Sequence, residues 1–125
     1  MAILRKPKAF YWTVHAREKM RFYRLSEFRV RRVINSPKRA EEGVAPRTVA
    51  MMQPASVKIS AGRQGSTKKE TWNQEIWAMI QDEKGRRKVI SAWRYPGMSK
   101  ARDETTSDFI KKEYSDYKTR GGDYL

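Results

Sequence analysis

One residue stands out as a candidate for chemistry, because the chain contains a single histidine, His15. It follows Thr13 by two positions, and a threonine is a good N-cap for a helix. His15 would then lie in the first helical turn, where unpaired N–H groups and the helix dipole favour a phosphate. We take His15 as a candidate general acid or base. The alternative is a histidine at the surface or at the edge of the core with no chemical role.

Cations that could hold a phosphate form the second candidate set. Arg94 lies between Trp93 and Tyr95 in a predicted strand, and alternation places it on the face opposite those aromatics. A guanidinium there could stabilise a charged transition state, and Tyr95 could supply a hydroxyl. The basic residues expected to share phosphate binding or to steer RNA are Arg17, Lys19, Arg21, Lys58 and Arg63. The alternative for these residues is a solvated surface charge.

Three of the four tryptophans could also contact nucleic acid. Trp72, Trp77 and Trp93 fall in or beside predicted strands. Stacking on an unpaired base contributes roughly 1–3 kcal/mol per ring. A place in the hydrophobic core is the competing interpretation for each of them.

The charge distribution indicates a polyanionic partner. The 125 residues carry 28 Lys and Arg against 14 Asp and Glu, a net charge of +14. Residues 1–40 hold 12 basic and 2 acidic side chains, whereas residues 101–125 hold 5 and 6. Because the excess is concentrated in the N-terminal third, we expect a basic face there, with nucleic acid favoured over a membrane surface.

Several classes of site are excluded by what the sequence lacks. The absence of cysteine excludes disulfides, thiolate zinc sites and a cysteine nucleophile. One histidine excludes a multi-histidine metal site, and the glycine-containing stretch 62–66 lacks the Lys-Ser/Thr ending of a phosphate-binding loop. No cluster of carboxylates suits a two-metal nuclease. Any cleavage of RNA would therefore need no metal or cofactor and would use the 2′-hydroxyl as nucleophile.

The hydrophobic pattern predicts two helices followed by strands. Ser26 is the second predicted N-cap, and the sequence from Asn35 to Pro37 ends that helix. The predicted elements are a strand at 9–12, helices at 14–23 and 27–34, strands at 48–53, 57–60, 72–81 and 86–95, and a helix from Ser107 or Asp108 to about 118. Residues 61–71 have the composition of a loop.

These elements predict an α+β domain. Two N-terminal helices would pack on a three- to four-stranded antiparallel sheet, and a short C-terminal helix would follow. We expect residues 1–98 to form one domain and residues 99–125 to form a tail that contains the short helix.

Three sequence phrases resemble a known family. They are Thr-x-His-Ala-Arg-Glu-Lys-Met at 13–20, the segment 25–34, and Val-Ile-Ser-Ala-Trp-Arg-Tyr at 89–95. Together they are similar to the RelE/BrnT-type toxins of toxin–antitoxin systems, which share the barnase–EndoU–colicin–RelE ribonuclease fold. The resemblance covers about residues 9–97, and the departures are the insertion at 54–71 and the tail after Met98. It implies an RNA-cleaving role, with His15 and Arg94 at the matching positions.

The resulting functional expectation is a metal-independent endoribonuclease of toxin–antitoxin type. The alternative is a basic RNA- or ribosome-binding module without catalysis. The expected partners are RNA, the ribosome and an acidic antitoxin protein. Since no apolar run approaches the roughly 20 residues of a membrane span and no secretory signal is recognisable, we expect a cytoplasmic protein without a membrane partner.

Overall fold

The computed structural model describes residues 9–60 and 68–120, which form a mixed α+β fold. The helices are α1 (Val14–Tyr23), α2 (Glu27–Asn35) and α3 (Glu104–Thr119). The strands are β1 (Ala9–Trp12), β2 (Arg39–Glu42), β3 (Thr48–Pro54), β4 (Lys58–Ser60), β5 (Lys69–Thr71), β6 (Gln74–Glu83) and β7 (Arg86–Pro96).

Five strands make the main sheet, in the order β1-β7-β6-β3-β2. The long β6–β7 hairpin is its centre, and its two-residue turn contains Gly85 at φ 82°, a conformation that favours glycine. β1 pairs with the start of β7 in parallel, whereas the other pairs are antiparallel. β4 and β5 form a separate two-stranded arm.

Two capping residues begin the N-terminal helices, as the sequence predicts. Thr13 accepts a hydrogen bond from the Ala16 N–H at 3.1 Å, and Ser26 accepts one from the Arg29 N–H at 3.0 Å. α1 ends at Arg24, which adopts a left-handed conformation with φ 56°. The turn between the two helices therefore contains only Arg24, Leu25 and the Ser26 cap.

A β-bulge at Ile90 interrupts the hairpin. Ser91 pairs with Met79 and Val89 pairs with Ile80, so Ile90 is the extra residue. Regular alternation along β7 would place Val89 on the same face as Ser91 and Trp93, and the structure departs from it. The bulge places Val89 in the core on one face of the sheet and moves Ile90 to the face that carries Trp93.

The hydrophobic core is divided between the two faces of the sheet. On one face, α1 and α2 supply residues such as Ala16 and Val33. On the other, Ile110 and Tyr117 of α3 pack with Trp77 and Trp93. The C-terminal helix, which falls in the predicted tail 99–125, therefore packs on one face of the sheet and contributes to the core.

The structure corrects several predicted boundaries. β2 was not predicted, and its alternation of half-buried and exposed charged residues gives no hydrophobic signal. The predicted loop at 61–71 ends in β5, and the predicted strand from Trp72 begins only at Gln74. The N-cap of α3 is Asp103, four to five residues before the predicted cap at Ser107 or Asp108. Among the described residues, no helix has the length and apolarity needed to cross a membrane.

Candidate functional site

His15 lies in a buried polar cluster between α1, β7 and α3. Its Nε2 atom is 3.7 Å from Oε1 of Glu113, which is within ion-pair distance but too long for a hydrogen bond. Glu113 accepts hydrogen bonds from the Ser91 hydroxyl at 2.6 Å and from the Lys19 ammonium at 3.0 Å. His15 is 4% exposed and Glu113 is 1% exposed. We call these four residues the Glu113 cluster.

The donors around Glu113 keep its carboxyl ionised. Burial raises the pKa of Glu113, but the polar contacts with His15, Ser91 and Lys19 outweigh burial, and its net pKa is below the ordinary value of 4.5. His15 remains the unsatisfied member, since neither ring nitrogen has a hydrogen-bond partner. The Tyr117 ring meets the imidazole edge-on, with centroids 6.2 Å apart.

The first turn of α1 is partly buried, which argues against the phosphate-binding role expected of that turn. Thr13 is fully buried, and its hydroxyl donates to the Val89 carbonyl at 2.8 Å beside the bulge. His15 borders an open cleft of about 310 Å³ between α1 and α3. The cleft is also lined by two carboxylates, of Glu18 and Asp116, and by two cations, Lys19 and Arg120, so it carries no excess of positive charge for a phosphate.

The structure does not bring Arg94 to His15. The Arg94 guanidinium donates to the carbonyls of Tyr23 at 2.8 Å and Arg24 at 3.4 Å, so it caps the C-terminal end of α1. His15 lies at the other end of that helix, about 12 Å away at 1.5 Å rise per residue. A third bond joins Arg94 to the Gln74 side-chain oxygen at 2.9 Å. Its contacts are those of a structural arginine that joins α1 to the sheet.

Tyr95 and two tryptophans belong to the face of the sheet that packs on α3. Tyr95 meets the Phe109 ring edge-on at 6.1 Å. Trp77 and Trp93 are each 1% exposed and stack with a centroid distance of 5.8 Å. The core interpretation is therefore correct for both tryptophans, and neither ring is available to a nucleobase.

The outward surface of α2 is positively charged and carries an exposed aromatic ring. Phe28 is 72% exposed, and Arg31 and Arg32 follow it at the i+3 and i+4 positions that neighbour it on a helix. Arg24 is exposed in the turn before α2, and Arg29 is half-buried beside β3. We call these five residues the α2 face.

Few carboxylates neutralise the α2 face. Within the described ranges, no carboxylate lies within ion-pair distance of Arg24, Arg29 or Arg32. Burial, together with the positive charges of Arg32 and Arg94, lowers the pKa of Arg29. The exception is Glu27, which lies 3.8 Å from Arg31 and is a weak, exposed partner. This surface therefore concentrates positive charge that an external anion would neutralise.

The predicted RNA-binding residues are distributed over the surface. Arg21 is exposed, and Arg17 is 52% exposed at 3.8 Å from Glu27. Lys19 is committed to Glu113, and Lys58 is exposed on β4, apart from both helices. Arg63 lies outside the described residues.

Sequence reasoning missed the α2 face and Glu113, although both left a signal. Phe28 precedes the buried Val30 by two positions, which on a helix points it away from the Val30, Val33 and Ile34 stripe. Glu113 falls between Ile110 and Tyr117 at helical spacing, so a carboxylate interrupts an apolar stripe. A charge at such a place needs buried partners, and this requirement identifies a polar cluster.

No metal centre is formed by the part of the chain that the structure describes, since it contains no group of three or more His, Cys, Asp or Glu side chains that could hold an ion. Comparison with protein-family models, with curated proteins and with solved structures finds no match to this chain. The resemblance to RelE/BrnT-type toxins therefore stays a prediction, supported by the sequence phrases alone.

Proposed function

We propose that the protein binds single-stranded RNA through the α2 face. The observation that carries this proposal is Phe28, an aromatic ring 72% exposed between arginines on a helix surface. Proteins bind unpaired nucleotides by stacking bases on such rings while cations contact the phosphates. Arg17 and Arg21 of α1 extend the same charge along the neighbouring helix.

The salt dependence of RNA binding distinguishes phosphate contacts at the α2 face from a general effect of the protein's positive charge. Each phosphate contact to a single strand adds about 0.7 to the slope of log affinity against log salt. We expect the double variant Arg24→Gln/Arg32→Gln to weaken binding of a 12-nucleotide oligouridine and to lower the slope by about 1.4. Titrations by fluorescence anisotropy between 50 and 200 mM salt measure both quantities.

The matched control removes the same charge elsewhere. Lys111 and Lys112 are exposed on α3, on the opposite side of the sheet. The variant Lys111→Gln/Lys112→Gln is expected to keep the wild-type slope. Equal losses in the two double variants would mean that only net charge matters, and the α2 face would be rejected as the interface.

Cleavage of RNA through His15 is a second candidate, favoured by one observation. His15 borders a cleft, and neither of its ring nitrogens has a hydrogen-bond partner. Its burial and its separation from Arg94 argue against it. Incubation of total RNA and of ribosomes with the protein in EDTA, beside the variant His15→Gln, tests this. Products with 2′,3′-cyclic phosphate ends that the variant fails to make would establish cleavage, and intact RNA would leave binding as the function.

A further inference from the structure

A second cavity lies at the base of the β4–β5 arm. It has a volume of about 270 Å³, slightly below the roughly 300–1,000 Å³ of sites for drug-sized ligands. Its lining residues are Ser56, Lys58, Thr71, Trp72 and Asn73. The combination of an aromatic ring, a cation and three small polar side chains is suited to one nucleotide.

The Trp72 indole is held in a fixed orientation. Its Nε1 donates to Oε2 of Glu75 at 2.8 Å, and Glu75 is fully buried. Glu75 also accepts from the Trp77 indole at 3.0 Å and from the Ser99 hydroxyl at 2.6 Å. A ring that is already immobilised loses little conformational entropy when a ligand packs against it.

The other lining residues supply hydrogen bonds and charge. The Ser56 and Thr71 hydroxyls and the Asn73 amide can each donate and accept, as the edge of a nucleobase requires. Lys58 is exposed and has no ion-pair partner among residues 9–60 and 68–120. Its ammonium is therefore available to a phosphate.

Charge distinguishes this cavity from the two other large ones. Each of the other two has two carboxylates and two cations in its lining. They are Glu41, Glu42, Arg39 and Arg102 in the cavity of about 750 Å³ beside β2, and Glu18, Asp116, Lys19 and Arg120 in the cleft of about 310 Å³. The Trp72 cavity has no acidic lining residue among those described. It is the one of the three in which a phosphate meets no repelling carboxylate.

Two arginines bond to chain positions next to the cavity lining. Arg29 of the α2 face donates to the carbonyl of Pro54 at 3.2 Å, two residues before Ser56. Arg94 donates to the side chain of Gln74, the residue after Asn73. Two cations are therefore bonded to the chain beside the lining residues.

We propose that the Trp72 cavity binds one unpaired nucleobase, with Lys58 on the attached phosphate. This inference rests on the RNA-binding function proposed above, of which it would be the base-binding subsite. A strand that contacts the α2 face through its phosphates would place one nucleotide in the cavity. RNA-binding modules commonly combine such a base pocket with a basic surface.

The test follows the Trp72 indole N–H resonance of the ¹⁵N-labelled full chain, assigned with the variant Trp72→Phe. Uridine and adenosine 5′-monophosphates are the probes, and ribose 5-phosphate is the base-free control. We expect a saturable shift of the Trp72 signal with a nucleotide, at least about tenfold weaker binding of ribose 5-phosphate, and no shift of the buried Trp93 signal. Thr71→Val, which replaces only the hydroxyl, should weaken nucleotide binding severalfold.

The outcomes distinguish this subsite from the α2 face. An unmoved Trp72 signal at millimolar nucleotide, or equal binding of ribose 5-phosphate, would overturn the base pocket even if oligouridine binds the α2 face. The variant Arg24→Gln/Arg32→Gln should bind mononucleotides as the wild type does. A nucleotide response of Trp72 in a protein that fails to bind oligouridine would reject the α2 face and retain the pocket.

Discussion

The Glu113 cluster and the α2 face use charged side chains in opposite ways. In the cluster, one buried carboxylate accepts hydrogen bonds from Ser91 and Lys19 and lies beside His15. On the α2 face, only Arg31 of the four arginines has a carboxylate within ion-pair distance among the described residues, and this is the weak, exposed partner Glu27. Helix α1 contacts both helices, since its Lys19 pairs with Glu113 of α3 and its Arg17 lies 3.8 Å from Glu27 of α2.

This difference means that the two regions should affect different properties of the protein: its stability and its binding of RNA. A buried ion pair that loses one partner leaves an uncompensated charge, so the cluster is sensitive to substitution. Exposed charges are hydrated with or without a partner, so changes on the α2 face affect folding little. We expect substitutions in the cluster to change stability and substitutions on the face to change RNA affinity.

The largest expected effect is that of Glu113→Leu. It leaves the Lys19 ammonium and the Ser91 hydroxyl without their acceptor, and removal of one partner from a buried ion pair costs about 3–5 kcal/mol. Urea unfolding measures the loss. Asp108→Asn, which removes an exposed carboxylate from the same helix, is the control and should cost less than about 1 kcal/mol. Equal losses in both variants would show that the cluster does not anchor α3.

Acid should unfold the wild type partly through the same carboxyl. The folded-state pKa of Glu113 is below its ordinary value of 4.5, so its contribution is complete above that value and is lost as pH falls through the lower folded pKa. Stability of Glu113→Gln should therefore fall less steeply below pH 4.5 than that of the wild type. If the stabilities of the wild type and Glu113→Gln fell in parallel below pH 4.5, the lowered pKa of Glu113 would be contradicted.

A substitution on the α2 face should have an effect of intermediate size, on RNA binding. Phe28→Ser removes an exposed ring, and loss of one stacked base should weaken oligouridine binding about tenfold, or about 1.4 kcal/mol. The free energy of unfolding should change by less than about 0.5 kcal/mol, since Phe28 is outside the core. Phe22→Ser on the α1–α3 side is the matched control, because Phe22 is 75% exposed. An equal loss of oligouridine affinity in Phe22→Ser would mean that Phe28 is not the specific stacking residue.

The smallest expected effect is a gain in RNA affinity rather than a loss. Glu27→Gln removes the carboxylate that partly neutralises Arg17 and Arg31, so RNA affinity should rise about two- to threefold at low salt. Stability should fall by less than about 1 kcal/mol, as is usual for exposed ion pairs. Anisotropy titration and urea unfolding of one sample measure both. Weaker binding would mean that Glu27 helps to position the arginines.

The sequence predicted the elements whose signals are local. The Thr13 and Ser26 caps and the pairing of β6 with β7 around a short turn each involve residues close in sequence, and the structure confirms them. The parallel pairing of β1 with β7 and the contact of Glu113 with α1 join distant residues. Such pairings leave no periodic trace in one sequence. The candidate site was misplaced for the same reason, since the position of His15 along the chain gave no indication of the α3 helix that buries it.

The bulge in β7 also determines where the chain tolerates a change of length. Removing one residue from a regular strand inverts the facing of every residue beyond it. At Ile90 the opposite holds, since Val89 and Ser91 already pair with the consecutive residues Ile80 and Met79. A chain without Ile90 would keep the register of the whole hairpin and the facing of both neighbours. It would lose one core side chain and the Ile90 carbonyl that lies 3.2 Å from the Thr13 hydroxyl.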